Sequence, residues 1–348
     1  MSTGLPEAWP RLLGDVGGSN ARFALETGPG VIEDILTLPT ARYPTLEDAL
    51  RDYLAQTGAR RVAHAAIGIA NPLNGDRVTM TNCHWSFSIE AARRALGLST
   101  LLLLNDFTAL ALALPKLPAK ELMQIGGGAP RPDSPLALIG PGTGLGVSAL
   151  VPHPGGWRAL AGEGGHVSFA PQDERESAVW RYAAARFGHV SAERLLSGPG
   201  ISLIHQALCE RDGEDAAPRE PSWISAQGVA GRDARSRETL EIFCGALGSA
   251  AGNLALTLGA RGGVYIGGGI VPRLSGFFEQ SPFRRRFEDK GRMSGYLADI
   301  PVYLITSAYP ALQGVAAYLA DHLAPRSDPS PVDVSTSPRG GSAGDMHA

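Results

Sequence analysis

The sequence has little cysteine, and its cysteines are not paired. Cys83, Cys209 and Cys244 are the three in the chain, and no two of them have the short spacing of a metal-binding or disulfide-forming pair. Disulfide frameworks and cysteine zinc sites are recognised by sets of cysteines with characteristic spacings. The pattern therefore argues against either structure. Cys209 and Cys244 fall in apolar helical patterns, so we expect both to be reduced residues of the core.

The sequence also lacks an excess of charge of either sign and a long apolar run. It has 31 lysines and arginines against 34 aspartates and glutamates, and the basic residues are scattered. A basic surface for nucleic acid or for a membrane is therefore not expected. No uninterrupted apolar run reaches the roughly 18 residues of a membrane span, and the first residues do not resemble a signal peptide. We expect a cytoplasmic protein that acts on small molecules.

Glycine is abundant, with 44 residues, and one glycine cluster lies between two apolar runs near the start of the chain. The stretch from Leu12 to Leu25 predicts a strand, a glycine-rich turn and a second strand. Gly17 and Gly18 allow positive φ angles and let an anion approach the backbone N–H groups, and Asp15 is suited to a hydrated cation. This is the chemistry of a metal-bound polyphosphate. An ordinary hairpin, with these residues serving turn geometry alone, is the alternative.

Two further glycine clusters follow. Gly142, Thr143 and Gly144 form a second turn between apolar runs, and the run from Gly267 to Gly269 follows a long helical pattern and a strand. Neither the first nor the second turn has the Gly-Lys-Ser/Thr ending of a Walker loop, and the glycines of the second turn miss the spacing of a dinucleotide-binding turn. The glycines Gly245, Gly248 and Gly252 within the helical pattern predict a close approach of another backbone.

Polar residues stand where predicted strands and loops end. An apolar strand over residues 100–104 is followed by Asn105 and Asp106, and ligands of α/β proteins bind at the carboxyl ends of strands. Asp106 is either the N-cap of the next helix or a ligand-facing acid. Glu163 and His166 lie in a glycine-rich loop. They are either part of a ligand site or solvated residues of a surface loop. Glu193 follows Ser191 at a helix start, where an acid also favours the helix dipole.

Seven segments, in this order, resemble the nucleotide site of the actin, heat-shock chaperone and hexokinase superfamily, and within it the bacterial glucokinase family. The resemblance extends from about residue 12 to about residue 323. The segments are Gly-Asp-Val-Gly-Gly-Ser-Asn-Ala-Arg (14–22), Met-Thr-Asn (80–82), Asn-Asp-Phe-Thr-Ala (105–109), Gly-Thr-Gly-Leu-Gly (142–146), Gly-Glu-Gly-Gly-His-Val (162–167), His-Val-Ser-Ala-Glu-Arg-Leu-Leu-Ser-Gly-Pro-Gly (189–200) and Gly-Gly-Gly-Ile-Val-Pro-Arg (267–273).

The resemblance implies a two-lobed α/β protein with the actin-like ATPase, ribonuclease H-like fold. Each lobe is a mixed sheet flanked by helices, and the active site lies in the cleft between the lobes. The boundaries we predict are 1–116 plus 307–325 for the small lobe and 117–306 for the large lobe. Residues 326–348 are rich in serine, proline, aspartate and glycine and predict a disordered tail.

The resemblance also implies the reaction: phosphorylation of D-glucose at its 6-hydroxyl by ATP, giving glucose 6-phosphate and ADP for glycolysis. Asp106 is implied as the general base, and Asp15 as the residue that holds Mg²⁺ through water. The implied sugar-binding residues are Asn105, Asp106, Glu163, His166 and Glu193. The implied nucleotide-binding residues are Gly14, Asp15, Val16, Gly17, Gly18, Ser19, Gly142, Thr143, Gly144, Gly267, Gly268 and Gly269.

Other interpretations stay open at this point. A sugar-sensing regulator that kept the fold without turnover, a kinase for another hexose and an ATPase with a protein partner are the alternatives. The zinc-binding cysteine cluster of the related repressor-and-kinase group is missing here. A homodimer is implied by the resemblance alone.

Overall fold

Two mixed β-sheets with the same strand plan form the framework of the protein. The structure is a computed structural model that describes residues 9–58, 61–71, 73, 75–274 and 276–324. Its strands are β1 (Arg11–Val16), β2 (Asn20–Gly28), β3 (Val31–Pro39), β4 (His64–Ile69), β5 (Arg77–Thr79), β6 (Ser86–Ser88), β7 (Thr100–Asn105), β8 (Leu122–Gln124), β9 (Leu136–Pro141), β10 (Leu145–His153), β11 (Gly156–Ala161), β12 (Gly263–Ile266) and β13 (Val302–Ile305). The first sheet has the order β3-β2-β1-β4-β7 and the second β11-β10-β9-β12-β13-β8, while β5 and β6 form a separate hairpin.

Helices flank both sheets, as predicted for an α/β protein. They are α1 (Leu46–Thr57), α2 (Ile89–Ala95), α3 (Asp106–Ala113), α4 (Glu174–Phe187), α5 (Ala192–Leu195), α6 (Gly198–Arg211), α7 (Pro221–Val229), α8 (Ala234–Leu258), α9 (Gly276–Gln280), α10 (Phe283–Glu288), α11 (Ser294–Ala298) and α12 (Pro310–Leu323). The predicted disordered tail, 326–348, lies outside the described residues.

The strand pairing brings six loops to two sheet edges. In the first sheet β1, β4 and β7 are parallel neighbours, while β2 returns antiparallel from β1 through the first glycine turn. In the second sheet β9, β12 and β13 are parallel, and β10 returns from β9 through the second glycine turn. Parallel neighbours have their carboxyl ends at one edge of a sheet. Each sheet therefore has one edge from which three loops emerge.

Alternating side chains bury both faces of each sheet. In β1, Leu12 and Val16 face a core shared with α1, while Leu13 faces a core shared with α3 and α12. In β9, Ala137 and Ile139 belong to the largest core, and Leu136 and Leu138 pack with residues of α3. The same helix, α3, therefore contacts both sheets.

Helix α8 is the centre of the largest core. By length and composition it is, among the described helices, the one apolar enough to cross a membrane, but 72% of its most apolar stretch is buried inside the protein, which is the pattern of a core helix. The predicted close approach is confirmed at two of its glycines. A Cβ at Gly248 would lie 2.2 Å from the carbonyl oxygen of Phe283, and one at Gly252 would lie 2.5 Å from that of Phe287.

Helices α3 and α12 cross with their backbones in contact. A Cβ at Gly314 would lie only 1.7 Å from the carbonyl oxygen of Ala109. Because that atom belongs to a helix backbone, it cannot move aside as a flexible side chain would. The chain enters α12 from β13 of the second sheet, yet α12 packs on β1 and β4 of the first sheet. The crossing at Gly314 therefore fixes how the two sheets are connected.

We expect Gly314→Ala to destabilise the protein by about 3 kcal/mol or more, because the added methyl group forces two packed helices apart. Urea unfolding of the purified variant measures the loss. Gly295→Ala is the matched control, since Gly295 is also helical and its Cβ would meet no atom within 4 Å. Equal stability of the two variants would contradict the assignment of this crossing as a close contact.

Candidate active site

A cleft of about 670 Å³ lies where the loops from both sheet edges meet. Twelve of the predicted site residues line it: Asp15, Gly17, Asn105, Asp106, Gly142, Thr143, Gly144, Glu163, Glu193, Gly267, Gly268 and Gly269. Five predicted residues are not among its lining: Gly14, Val16, Gly18, Ser19 and His166. The tertiary structure thus gathers into one cleft residues that are separated by up to about 250 positions in the chain.

Asn105, and not Asp106, is the N-cap of helix α3. Its Oδ1 accepts hydrogen bonds from the backbone N–H groups of Phe107 (2.9 Å) and Thr108 (3.1 Å). This geometry satisfies two of the free donors at the helix start. Since Oδ1 is used in the cap, the amide nitrogen of Asn105 is the group left to bind a ligand. Asp106 is the first residue of the helix, and its Oδ1 also accepts from Phe107 N (2.9 Å).

The pKa of Asp106 is strongly raised by its place in the cleft. Burial is the main cause and raises its pKa from 3.8 to about 7, and the negative charges of Asp15 and Glu163 add to the rise. Hydrogen bonds from backbone N–H groups at the start of α3 lower the pKa of Asp106 and so offset part of this rise. An acid with a pKa near neutrality exchanges a proton readily at physiological pH. Asp106 therefore has both the electrostatics and the position of a candidate general base.

Asp15 ends the strand β1 and is paired with Arg22 on β2. The guanidinium Nη1 lies 3.1 Å from Asp15 Oδ2, and the Asp15 side chain is 21% exposed. Burial raises the pKa of Asp15, and the charge and hydrogen bond of Arg22 lower it. The pairing across the hairpin holds the carboxylate at the floor of the cleft.

In the first turn, close packing rather than backbone angle requires glycine at Gly18. Gly17 and Gly18 do not have the positive φ expected from the sequence. A Cβ at Gly18 would instead lie 2.6 Å from the carbonyl oxygen of Asn82, which also lines the cleft. The carbonyls of Gly18 and Ser19 are held by Thr40, through its Oγ1 and its backbone N–H respectively.

Gly14 and Val16 are strand residues that point away from the cleft. Val16 is 1% exposed in the core shared with α1. A Cβ at Gly14 would come within 2.9 Å of the Ile67 side chain. Both residues therefore shape the strand that carries Asp15, and their side-chain positions face the protein interior.

The second turn is attached to the segment that carries Glu193. Glu193 Oε2 accepts a hydrogen bond from the backbone N–H of Leu145 (2.8 Å), and Gly198 N–H donates to the carbonyl of Gly142 (2.8 Å). A Cβ at Gly142 would meet no protein atom within 4 Å, and Gly142 has no positive φ. The protein itself does not require glycine at Gly142, so the open space beside it is available to a ligand.

The third cluster leads from the cleft into a second cavity. Gly268 has φ +77°, and a Cβ there would lie 2.3 Å from the Pro141 carbonyl oxygen, so two reasons require glycine. The second cavity, of about 1310 Å³, shares Gly142, Thr143, Glu193, Gly269 and Arg273 with the cleft. Apolar side chains line much of it, among them Ile201, Leu203, Pro221, Val229 and Ile270.

Glu163 and His166 lie on one loop above the second turn. Residues Gly164–His166 form a 3-10 turn, and a Cβ at Gly165 would lie 2.2 Å from the Leu145 carbonyl oxygen. The carbonyl of His166 accepts a hydrogen bond from the His189 ring (3.3 Å). Glu163 lines the cleft, whereas His166 is exposed beside it. The sequence-predicted sugar contact of His166 stays a prediction.

Within the described part of the chain, no group of three histidine, cysteine or acidic side chains is arranged to hold a metal ion. Mg²⁺ is commonly bound by one or two carboxylates together with water and the phosphates of a nucleotide. Asp15 is a hard oxygen donor in the cleft of the two glycine turns. The residues present therefore fit a Mg²⁺ ion that arrives with a nucleotide.

Several lining residues were not predicted. They are Arg22, Asn71, Asn82, Arg273, residues 307–311 and, in the second cavity, helix α7. The rule that ligands bind beyond the carboxyl ends of parallel strands would have found residues 307–311, because they follow β13. No short-range signal marks α7, which lies in a polar, proline-containing stretch of the sequence.

Comparison with known proteins agrees with this architecture. A family model for glucokinase matches residues 12–322. A glucokinase from Chromobacterium violaceum is 84% identical over 348 residues, covering 100% of both chains. The crystal structure of a glucokinase from an Antarctic psychrotroph superimposes with a TM-score of 0.81 at 37% identity, covering 90% of this chain and 99% of that one.

A more distant structure supports the fold alone. It is the ROK-family glucokinase from Streptomyces griseus in complex with glucose and AMPPNP, with a TM-score of 0.62 and 17% identity over 90% of this chain and 100% of that one. The predicted actin-like ATPase fold is confirmed by these neighbours. From the family match and the full-length identity it follows that the chain belongs to the glucokinase family.

Proposed function

We propose that this chain transfers the γ-phosphoryl group of ATP to the 6-hydroxyl of D-glucose, giving glucose 6-phosphate and ADP. One observation carries the proposal: Asp106, whose pKa is raised to about 7, shares one cleft with two open glycine turns. Phosphoryl transfer needs little covalent chemistry from the protein, only alignment and charge stabilisation. A base opposite a phosphate-binding turn supplies the alignment.

On the donor side, the second turn offers a polyphosphate the open space beside Gly142. Its candidate backbone donors are N–H groups of the two turns other than those of Gly17 and Gly142, which already donate to the carbonyls of Asn20 and Gly144. The apolar second cavity beyond Gly269 has room for the adenosine. Mg²⁺, held with the nucleotide near Asp15, supplies neutralisation of the phosphate charge. The Streptomyces griseus neighbour, whose structure contains glucose and AMPPNP, is consistent with this donor.

On the acceptor side, Asp106 accepts the proton of the 6-hydroxyl as the oxygen attacks phosphorus. The Asn105 amide nitrogen and the Glu163 carboxylate offer a donor and an acceptor for other hydroxyls of the sugar. Glu193 contributes its carboxylate while it anchors the second turn through Leu145. A sugar bound this way lies between the base and the phosphate turn.

We also infer a homodimer. The edge strand β11 exposes Trp157 (36%) and Leu160 (40%), and an uncovered apolar edge is a typical contact surface between chains.

We place the enzyme in the cytoplasm, where ATP is available.

Asp106→Asn is expected to lower kcat for glucose by about 10² to 10⁴-fold, because the amide cannot take the proton. Glucose binding, measured by calorimetry, should survive, since the amide keeps the shape and one acceptor oxygen. Asp321→Asn, an exposed residue of α12, is the matched control and should keep wild-type turnover.

The same assay tests the proposed function itself, with glucose, mannose, glucosamine and fructose as acceptors and ADP release as the readout. Glucose is expected to be the best acceptor. ADP release that does not depend on any hexose would contradict a sugar kinase and favour an ATPase, and sugar binding without ADP release would favour a regulator.

The rate should depend on pH through Asp106. As a base it works only when ionised, so kcat/KM for glucose should fall as the pH drops below about 7, approaching tenfold per pH unit. Initial rates between pH 5.5 and 9 measure the profile, and melting curves at each pH check that the protein is folded. A flat profile down to pH 5.5 would rule out this acid as the base.

The buried charge should also cost stability. In the unfolded chain the Asp106 carboxyl ionises near 3.8, but in the native state it ionises near 7. Between pH 3.8 and 7 the native state keeps a proton on Asp106 that the unfolded chain has lost. The free energy of unfolding therefore falls as the pH rises through this range, and the full loss is reached above about pH 7. Asp106→Asn should therefore be more stable than wild type at pH 8, by about 1 kcal/mol or more.

Urea unfolding at pH 5 and pH 8 measures this difference, which should be smaller at pH 5. The Asp321→Asn control should show no comparable dependence on pH. An Asp106→Asn variant that is no more stable than wild type at pH 8 would show that the cleft does not penalise the charge.

A further inference from the structure

The cleft carries more negative than positive charge, although its proposed ligand is an anion. Four carboxylates line it, those of Asp15, Asp106, Glu163 and Glu193. Two guanidinium groups, those of Arg22 and Arg273, line it as well. The formal balance of these side chains is four negative against two positive charges, or −2. A polyphosphate therefore needs a protein cation placed beside it, because the acids of the cleft repel it.

Arg22 is already committed to a protein carboxylate. Its Nη1 donates to Asp15 Oδ2 at 3.1 Å. Moving this guanidinium to a phosphate would leave the partly buried Asp15 without its partner, which is costly. Arg22 is therefore a poor candidate for the phosphate-binding cation.

The Arg273 side chain, in contrast, has no such ion pair among the described residues. Among the residues that the structure describes, no carboxylate lies within ion-pair distance of its guanidinium, and no protein group hydrogen-bonds to its side chain. Its backbone is nevertheless fixed, because it lies in the 3-10 turn Val271–Leu274 and its N–H donates to the carbonyl of Ile270 (3.0 Å). A free guanidinium on an ordered turn is available to a ligand.

The position of Arg273 is specific. It follows the third glycine cluster and lines both the cleft and the second cavity. The other arginines of the second cavity are stacked on aromatic rings: Arg194 lies 4.1 Å from the ring centroid of Phe187, and Arg219 lies 5.3 Å from that of Trp223. Arg273 is thus the unengaged cation at the junction where a nucleotide would pass from its phosphates to its base.

We propose that Arg273 binds the phosphate chain of the nucleotide between the second glycine turn and the adenosine cavity. Its guanidinium supplies the positive charge that a lysine supplies in a Walker loop, and this sequence has no Walker loop. Guanidinium groups form strong, charge-assisted hydrogen bonds to phosphate oxygens. The proposal rests on the proposed function, since it assigns a residue to the donor half of the same site.

The test compares Arg273→Gln, Arg273→Lys and the control Arg292→Gln, an exposed arginine that lines neither cavity. Calorimetry measures the binding of ADP, inorganic tripolyphosphate and adenosine to each full-length variant. Arg273→Gln should weaken ADP and tripolyphosphate roughly tenfold or more, as expected for the loss of a hydrogen bond to a charged group. Adenosine binding should not change, and Arg273→Lys should restore part of the affinity.

Kinetics adds a second readout. In Arg273→Gln the KM for ATP should rise by the same factor while the KM for glucose stays near its wild-type value. Melting temperature should match that of wild type, because Arg273 has no protein partner to lose. Unchanged ADP and tripolyphosphate binding would overturn the proposal, as would an equal loss of adenosine binding, which would place Arg273 against the base.

Failure of the proposed function gives a different result. If wild-type protein binds ADP but phosphorylates no hexose, the kinase assignment fails while the binding comparison still decides the role of Arg273.

Discussion

The contact between Phe107 and the glycines of the opposite hairpin determines the geometry of the cleft. A Cβ at Gly146 would lie 2.1 Å from the Phe107 ring, and one at Gly140 would lie 2.7 Å from it. The ring of a helix that starts at the edge of the first sheet is therefore inserted against the second sheet. Asp106 precedes Phe107, and Gly142 to Gly144 lie between Gly140 and Gly146. One aromatic contact thus sets the distance between the proposed base and the proposed phosphate turn.

That arrangement concentrates acids in a space that is partly closed to water. Burial and the negative charges of Asp15 and Glu163 raise the cost of ionising Asp106, so its pKa is shifted to about 7. The free protein bears this electrostatic cost at Asp106. The proposed role of Arg273 follows from the same balance, since an anionic ligand in an acidic cleft requires a cation that is not already paired.

The three glycine clusters show that a sequence motif indicates where a ligand site lies but does not indicate the backbone geometry of that site. Gly18, Gly142 and Gly268 all belong to clusters that the sequence marks in the same way. The structure gives each a different reason: the Asn82 backbone beside Gly18, open space at Gly142, and both a positive φ and the Pro141 carbonyl at Gly268. The sequence shows where a residue has no side chain, but it does not show which atom fills the space beside that residue. That atom comes from a distant part of the chain in two of these cases.

Local sequence alone determined many of the elements, though not α7, and the positions of twelve predicted residues that line the cleft. The apolar run of β7 followed by Asn105 and Asp106, the hairpins around Asp15 and Gly142, and the glycines of α8 were all readable, because strand patterns, turns and helix starts depend on residues within a few positions. Only the tertiary structure decided that Glu193 holds the second turn, that the Phe107 ring packs against Gly140 and Gly146, and that Arg273 lies in the cleft without a paired carboxylate among the residues described. Those outcomes depend on distances between residues far apart in the chain, and such distances are set by packing of the whole fold.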